Sequence, residues 1–384
     1  MPKNECGLSA FEFFAATATP LKMLDFALEY GLLTRPVMCP KCEGSNFAAA
    51  ETIQVKADGV FWRCRSCKYD WTVRSGSIFL GSQLPLRKIF AILRGWCMGL
   101  LADQIAEDVG DVNIGTIHNW IKVFQQVVFD DYPRTQVSGT ITVLGEIPDD
   151  DDRTLLGGEA IVAADEMRVG RHKKGFFGHK TRPLADVVGA VEMVPGGRLI
   201  LDVIPKLANG KFRQKGPPSA NELRTWAKTF IKDGSTVFTD GATAYTVLAR
   251  ENNWHHEVVS HKRGQFAKTV RPKKGTYKGK NLRVHTNQID GLWSHLRGFI
   301  NARFGIRKHR LAFYLREFEW RYNTHEPLFR AFGRLLSQKL RAPPNRRSLN
   351  VHPLVRTPDP PSTTAPRKRN SSNAPKPKAK RRLL

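Results

Sequence analysis

Four cysteines in two Cys-x-x-Cys pairs, Cys39 with Cys42 and Cys64 with Cys67, constrain this chain more than any other feature. Thiols two residues apart can face one tetrahedral metal ion, and two such pairs separated by a hairpin-sized insert have the spacing of a zinc ribbon. Thr52 to Val55 and Val60 to Trp62 read as short strands on either side of Ala57, Asp58 and Gly59. So small a unit buries too little apolar surface to fold unaided, and bound Zn²⁺ would supply its stability. Metal ligation also suits a reducing compartment better than disulfides do. Cys6 and Cys97, which fall outside the pairs, read as small apolar residues.

The chain's 384 residues, 41% of them hydrophobic, suffice to bury an ordinary core and suggest two or three domains in all. A formal net charge of +26 calls for a polyanionic partner, and nucleic acid is the first candidate because released counterions drive such association. Met1 to Thr19 lacks the basic start and long apolar core of a signal peptide. No apolar run reaches the roughly 18 to 20 residues needed to span a bilayer. An intracellular protein without a membrane role is expected.

Composition and periodicity divide the chain into six stretches. Residues 1–35 have helical spacing, split at Pro20. Residues 36–80 hold the ribbon. Residues 81–132 form three helical pieces, Leu86 to Leu100, Ala102 to Val109 and Ile114 to Phe129. A turn through Gly110 to Asn113, followed by a helix bearing Thr116, His118, Asn119 and Lys122, is similar to a helix-turn-helix, although any three-helix bundle shows this profile. Thr116, Asn119 and Lys122 are its candidate DNA contacts. Residues 133–156, with Pro133, Pro148 and the acidic run Asp149 to Asp152, read as a linker. Residues 157–335 change to a strand meander, a helix, and then alternating strands and helices, which predicts an α/β domain, a mixed sheet flanked by helices. Residues 336–384 read as a basic disordered tail. Its Pro366–Arg369 and Lys376–Arg382 clusters fit a nuclear import signal or a nonspecific DNA contact.

Within the α/β region, three acids stand in different local contexts. Asp165 ends an apolar run, Ala160 to Ala164, and is placed at the exposed end of a central strand. Asp240 closes Thr236 to Thr239 before Gly241, and Asp290 opens a helix on which Ile289, Trp293 and Leu296 face inward. Metal ions that clamp the attacking and leaving oxygens of a phosphoryl transfer need hard oxygen ligands from converging elements, and three placed Asp side chains fit that demand. Arg297 follows Asp290 by seven residues, about two helical turns, so it shares that face and can meet a phosphate. Lys173, Lys174 and Arg307 are further candidates for phosphate contact. His261 and His285 are candidates for the same role or for orienting a ligand, and packing roles for these histidines remain open.

Taken in order, these segments resemble DDE transposases of the Merlin superfamily and the related bacterial ISXO-type insertion-sequence transposases, from the ribbon to about residue 330. The resemblance is carried by Arg74-Ser75-Gly76-Ser77 after the ribbon and by Ala163-Ala164-Asp165-Glu166 with the basic Arg171 to Gly175. Thr239-Asp240-Gly241 with Ala244 and Tyr245, Val258 to His261, His285-Thr286-Asn287 through Trp293-Ser294, and Tyr314 to Asn323 complete it. It implies a ribonuclease-H-like catalytic domain preceded by a zinc ribbon and a helix-turn-helix-like region. It further implies Mg²⁺-dependent (or Mn²⁺-dependent) cutting and joining of double-stranded DNA at terminal inverted repeats and target sites, with Asp165, Asp240 and Asp290 as metal ligands. A homo-oligomer on DNA in the nucleus is expected. The third family acid is usually Glu, and Lys is common where Arg297 stands. The alternative reading is a domesticated, catalytically silent DNA-binding protein derived from such an enzyme.

Overall fold

The computed structural model describes residues 6–52, 58–132, 144, 161–170, 183–204, 217–261, 264–274, 277–303 and 308–341. The 157–335 region is built on a five-stranded sheet in the order β6-β5-β4-β7-β8. Its strands are β4 (Val162–Gly170), β5 (Pro183–Glu192), β6 (Leu199–Val203), β7 (Thr236–Thr239) and β8 (His255–Val258). β4, β5 and β6 form an antiparallel meander, while β7 and β8 run parallel to β4, which makes the mixed sheet ribonuclease-H-like. Such a parallel connection requires a crossover helix. The α6 helix (Ala220–Phe230), started by a Ser219–Glu222 capping box, precedes β7, and α7 (Thr243–Glu251) joins β7 to β8.

Strand alternation assigns the two faces of β4. Val162 and Ala164 join the core under α6 and α7 with Leu223, Trp226, Tyr245 and Leu248. Ala163, Met167 and Val169 face the opposite core, which includes Ile289, Leu292, Trp293 and Leu296 of α8 (Asn287–Asn301) and Leu315 and Phe318 of α9 (Leu311–Asn323). The free edge of the sheet at β6 is closed by α9. Asn323 bonds both the Leu199 amide and its carbonyl at 2.8 Å, and Glu319 accepts from the Leu201 amide at 2.9 Å. Filling these edge groups removes a pairing template for another chain.

The N-terminal helices are α1 (Ala10–Ala16) and α2 (Pro20–Glu29), divided at Pro20, which takes the first position of α2 where its missing N–H costs nothing. A three-stranded antiparallel sheet follows, β1 (Phe47–Glu51), β2 (Val60–Cys64) and β3 (Asp70–Thr72). The first strand of this sheet is thus Phe47–Glu51, while most of the strand expected at Thr52 to Val55 falls on residues that are not described. Phe47 pairs with Cys64 and Glu51 with Val60, and residues 53–57 are outside the described ones. Arg74 ties this sheet to α3 (Leu86–Cys97). All five of its N–H bonds are used, two on Asp58 at 2.6 and 2.7 Å and three on the carbonyls of Phe79, Ser82 and Leu84. Asp58 in turn accepts from the Leu86 amide at the start of that helix.

α3, α4 (Ala102–Val109) and α5 (Ile114–Asp131) pack around Ile89, Trp96, Ile105, Trp120 and Phe124. Two features of this region depart from expectation. Helix α10 (Leu328–Arg341) crosses the boundary drawn at residue 336 and packs Phe329, Phe332, Leu335 and Leu336 into the N-terminal core. Within the expected linker, Leu144 is fully buried in the α/β core and bridges Ile231. The α/β unit thus begins near Leu144, and the chain returns to its own N-terminal helices at the end. The Asp149 to Asp152 run and residues 342–384 lie outside the described residues.

The joint between the two halves is buried and charged. Glu317, with no exposed surface, accepts from Arg321 at 2.9 Å and from Gln125 of α5 at 2.8 Å. Arg321 donates to the carbonyls of Trp96 and Cys97 at the end of α3, where a cation opposes the negative end of the helix dipole. Trp96 and Trp320 stack at 5.5 Å with an interplanar angle of 9°.

Candidate active site

Asp165 lies in the middle of β4, opposite Gly189 of β5, and not at a strand end as its sequence context implied. Its neighbour on the other side explains why it is still accessible to a ligand. β4 pairs with β7 through Ala163 and Phe238, and β7 stops at Thr239. Asp165 therefore emerges level with Asp240, just past the carboxyl end of β7, where open α/β sheets place their ligand crevice.

Each acid is fixed by a different device. The Trp293 indole N–H donates to Asp165 Oδ2 at 2.7 Å, across the α8-facing side of the sheet. Gly189 makes room for that indole, because a Cβ there would lie 2.6 Å from Trp293 Cη2. Asp240 Oδ1 accepts from the Ala242 amide at 3.1 Å. The intervening Gly241 has φ +93°, and a Cβ on it would meet Val258 at 2.8 Å, so glycine is required by both conformation and space. Asp290, in the first turn of α8, accepts from the Thr286 hydroxyl at 3.0 Å, and Thr286 in turn bonds His261 Nε2 at 3.1 Å. Since the hydroxyl proton is spent on Asp290, the histidine is the donor in that second bond.

The acids sense one another. Burial first, and then the Asp240 charge, push the Asp165 carboxyl up to about 7, with Asp290 adding to the effect. Glu166 points to the opposite face beside the buried Tyr245 and is likewise pushed up to about 7 by burial and the Asp165 charge. The Tyr245 hydroxyl faces the Glu166 carboxyl in that buried pocket, and burial raises the phenol well above its ordinary range. A buried carboxyl that burial and a neighbouring negative charge hold protonated is what a bound cation would relieve. Hard oxygen donors fit Mg²⁺ or Mn²⁺. The three carboxylates are nonetheless less tightly gathered than the cysteines, which form the one group of candidate ligands drawn within 4.8 Å of each other among the described residues.

Cys39, Cys42, Cys64 and Cys67 form that group, with Cys39 to Cys67 at 3.7 Å and Cys42 to Cys64 at 3.6 Å between sulfurs. A tetrahedron with Zn–S bonds of about 2.3 Å has edges of about 3.8 Å, so the site fits zinc. Backbone N–H groups of Cys67 and Ser66 help bring the Cys64 thiol down to about 6. Although the Gly44 amide favours a Cys42 thiolate, the neighbouring thiols push that group up to about 12. The four sulfurs behave as one cluster. Cys6 and Cys97 are buried outside it.

The other predicted site residues scatter. Arg297 is exposed on α8 two turns past Asp290, and His285 is half-buried with Nδ1 unpartnered. Asn119 and Lys122 are exposed on α5, on the side away from buried Ile117 and Trp120, whereas Thr116 is half-buried one turn before Trp120 on its face. Lys173, Lys174 and Arg307 lie outside the described residues. The sequence places Trp293 inside the core without announcing its bond to Asp165, names Thr286 only as part of a motif, and does not single out Gly189. The i, i+3 spacing of Asp290 and Trp293 was the available signal for the first.

This arrangement of sheet and acids coincides with a family match. Residues 144–323 match the ISXO2-like transposase domain. The start of this ISXO2-like region at residue 144 agrees with the buried Leu144. Over 289 residues the chain is 24% identical to an uncharacterized protein in the transposable element ISH50 of Halobacterium salinarum, covering 74% of this chain and 85% of that one. No solved structure matches. Among the described residues no helix is long and apolar enough to cross a membrane.

Proposed function

We propose that the chain is a DNA transposase that cuts and joins DNA at transposon ends, with Asp165, Asp240 and Asp290 as the ligands of two Mg²⁺ or Mn²⁺ ions. The observation that carries this reading is the Asp165 carboxylate, anchored by Trp293 of α8 while repelled by Asp240 and Asp290. When bound, such ions activate the attacking hydroxyl and stabilise the departing oxygen. The protein's own work is positioning. Trp293 and the Ala242 amide fix two carboxylates on the sheet, and His261 through Thr286 orients the third on α8. Arg297, exposed on the same helix as Asp290, is placed to meet the phosphate. Zn²⁺ in the cysteine cluster holds the ribbon, and α5 presents Thr116, Asn119 and Lys122 to duplex DNA. The Merlin-type likeness, the homo-oligomer on DNA and nuclear localisation belong to the same proposal and rest on motif order and on the basic residues after 365.

The test is nicking and strand transfer of labelled DNA carrying the flanking repeats, with Mg²⁺ or Mn²⁺. Metal-dependent cleavage by wild type, abolished in Asp240→Ala, is the expected result. One observation favours a second reading, a silent DNA-binding derivative. The third acid is Asp, one methylene shorter than the usual Glu, and a misplacement of about 1 Å can cost on the order of a hundredfold. Wild-type inactivity together with cleavage restored in Asp290→Glu would establish it.

A further inference from the structure

Between β8 and α8 the chain forms an additional hairpin, β9 (Ala267–Val270) with β10 (Leu282–His285), antiparallel and separate from the main sheet. Its root is firmly seated. Val284 is fully buried against Phe238 and Val259, with Val270 and Leu282 packed beside them, and β10 runs directly into Thr286 and Asp290. Its far end turns back along β8. Pro272, Lys273, Lys274 and Tyr277 there form a cleft of about 200 Å³ with residues of β7 and β8, among them His255, His256 and Glu257, the acid that Lys268 pairs with. The hairpin therefore extends from the third acid along the outer edge of the sheet.

Its charge is one-signed. No acidic residue occurs between Glu257 and Asp290, and Arg271, Lys273, Lys274, Lys278, Lys280 and Arg283 are all exposed. Lys268, which pairs with Glu257 at 2.9 Å, is the basic residue of the hairpin with a carboxylate partner among the described residues. Six exposed cations held close together repel one another, which costs stability unless a polyanion binds. Phe266 stands 62% exposed at the root, against the His261 ring at 5.2 Å.

We propose that the β9–β10 hairpin is a DNA-binding arm that grips the phosphate backbone of the duplex next to the carboxylates, with Lys273, Lys274, Lys278 and Lys280 as its phosphate contacts. This rests on the reading of the three acids as a DNA-cutting site and adds the surface that holds the substrate there. A phosphate contact carries no base information, so the arm sets register and affinity while sequence is read elsewhere.

The test compares full-length wild type with a variant carrying Lys→Gln at 273, 274, 278 and 280, and with a Lys22→Gln, Lys228→Gln control on the exposed faces of α2 and α6. Binding to a labelled duplex is measured by fluorescence anisotropy without divalent metal over a range of salt. Each lost phosphate contact should lower the slope of log K against log salt by about 0.9, so the arm variant should lose a slope of about 3 to 4 and bind at least tenfold more weakly. The control should lose less per charge removed. An unchanged slope in the arm variant, or competition by RNA as strong as by duplex DNA, overturns the proposal. Nicking by wild type separates the two claims. A protein that binds through the arm but never cuts keeps the arm and loses the enzyme, whereas one that cuts with an arm-independent slope does the reverse.

Discussion

The cysteine cluster and the carboxylate cluster are both candidate metal sites, yet one is assembled within 4.8 Å and the other is not. The difference lies in charge and in distance along the chain. Thiols that share protons can approach one another, with Cys64 the readiest to ionise, and the four cysteines come from two turns of one small sheet. Three carboxylates repel, and theirs come from two strands and a helix, with Trp293 reaching Asp165 across 128 residues. One site is made by local sequence, whereas the other exists only once the domain has folded. Removing each site's support should therefore have opposite consequences, structural in the first and chemical in the second.

The largest effect is expected at the cysteines. Cys64 is fully buried, and the ribbon's strands are five, five and three residues long. The sheet reaches the N-terminal core through Val60 and Trp62, so the metal is needed for the turns that carry the cysteines. Cys64→Ser should abolish the one equivalent of zinc per chain and unfold those turns of the ribbon, checked by metal analysis and proteolysis, while leaving the α/β unit folded. A zinc-free protein with an intact ribbon would break the comparison.

Next comes the joint that couples the halves. Glu317→Ala leaves Arg321 buried without its carboxylate and the Gln125 amide N–H₂ without its acceptor, and breaking a buried pair from one side costs about 3–5 kcal/mol. Denaturant unfolding should show that loss in a transition common to both halves, because α9 contributes Phe318 to one core and Trp320 to the other. Two separate transitions, with one unmoved, would show that the halves fold independently.

Asp165→Asn should give an exchange of activity for stability. Burial and the Asp240 charge raise this carboxyl to about 7 from 3.8, so between those values the folded state holds a proton that the unfolded state releases. Metal-free stability should then fall as pH rises from about 4 through 7. Asn cannot ionise and can still accept from Trp293, so the variant should be more stable at pH 8 by roughly 2–4 kcal/mol and inactive. Equal stability of both proteins at pH 8 would remove the electrostatic argument.

How much of this was legible beforehand follows the same divide. The ribbon ligands, the Pro20 break, the order of sheet strands and the inward face of Ile289, Trp293 and Leu296 follow from spacing, since local periodicity encodes them. Asp165 was misplaced within its strand because an apolar run ending in Asp-Glu looks terminal, while the pairing of Asp165 with Gly189 is decided by β5. The return of α10 to the first core and the burial of Leu144 depend on partners far away in sequence, and nothing in a basic stretch or a Pro-bounded linker announces them.

The smallest expected effect tests whether the sheet site is truly nonlocal. Trp293→Phe keeps an aromatic ring in the core under α8, removes the N–H that reaches Asp165 and leaves part of the indole's volume beside Gly189 unfilled. A hydrogen bond to a charged group contributes about 1.5–3 kcal/mol, and loss of a residue that orients a metal ligand costs about 10- to 100-fold in metal affinity or activity. Cleavage should therefore fall by that factor with KM for DNA unchanged, and added Mn²⁺ should restore part of it by tolerating the looser carboxylate. Gly189→Ala should act on the same bond from the other side, by pushing the indole away, and the two changes together should cost little more than either alone, as expected when both break one contact. Full additivity would mean that the indole serves only as packing and that Asp165 is held by β4 alone.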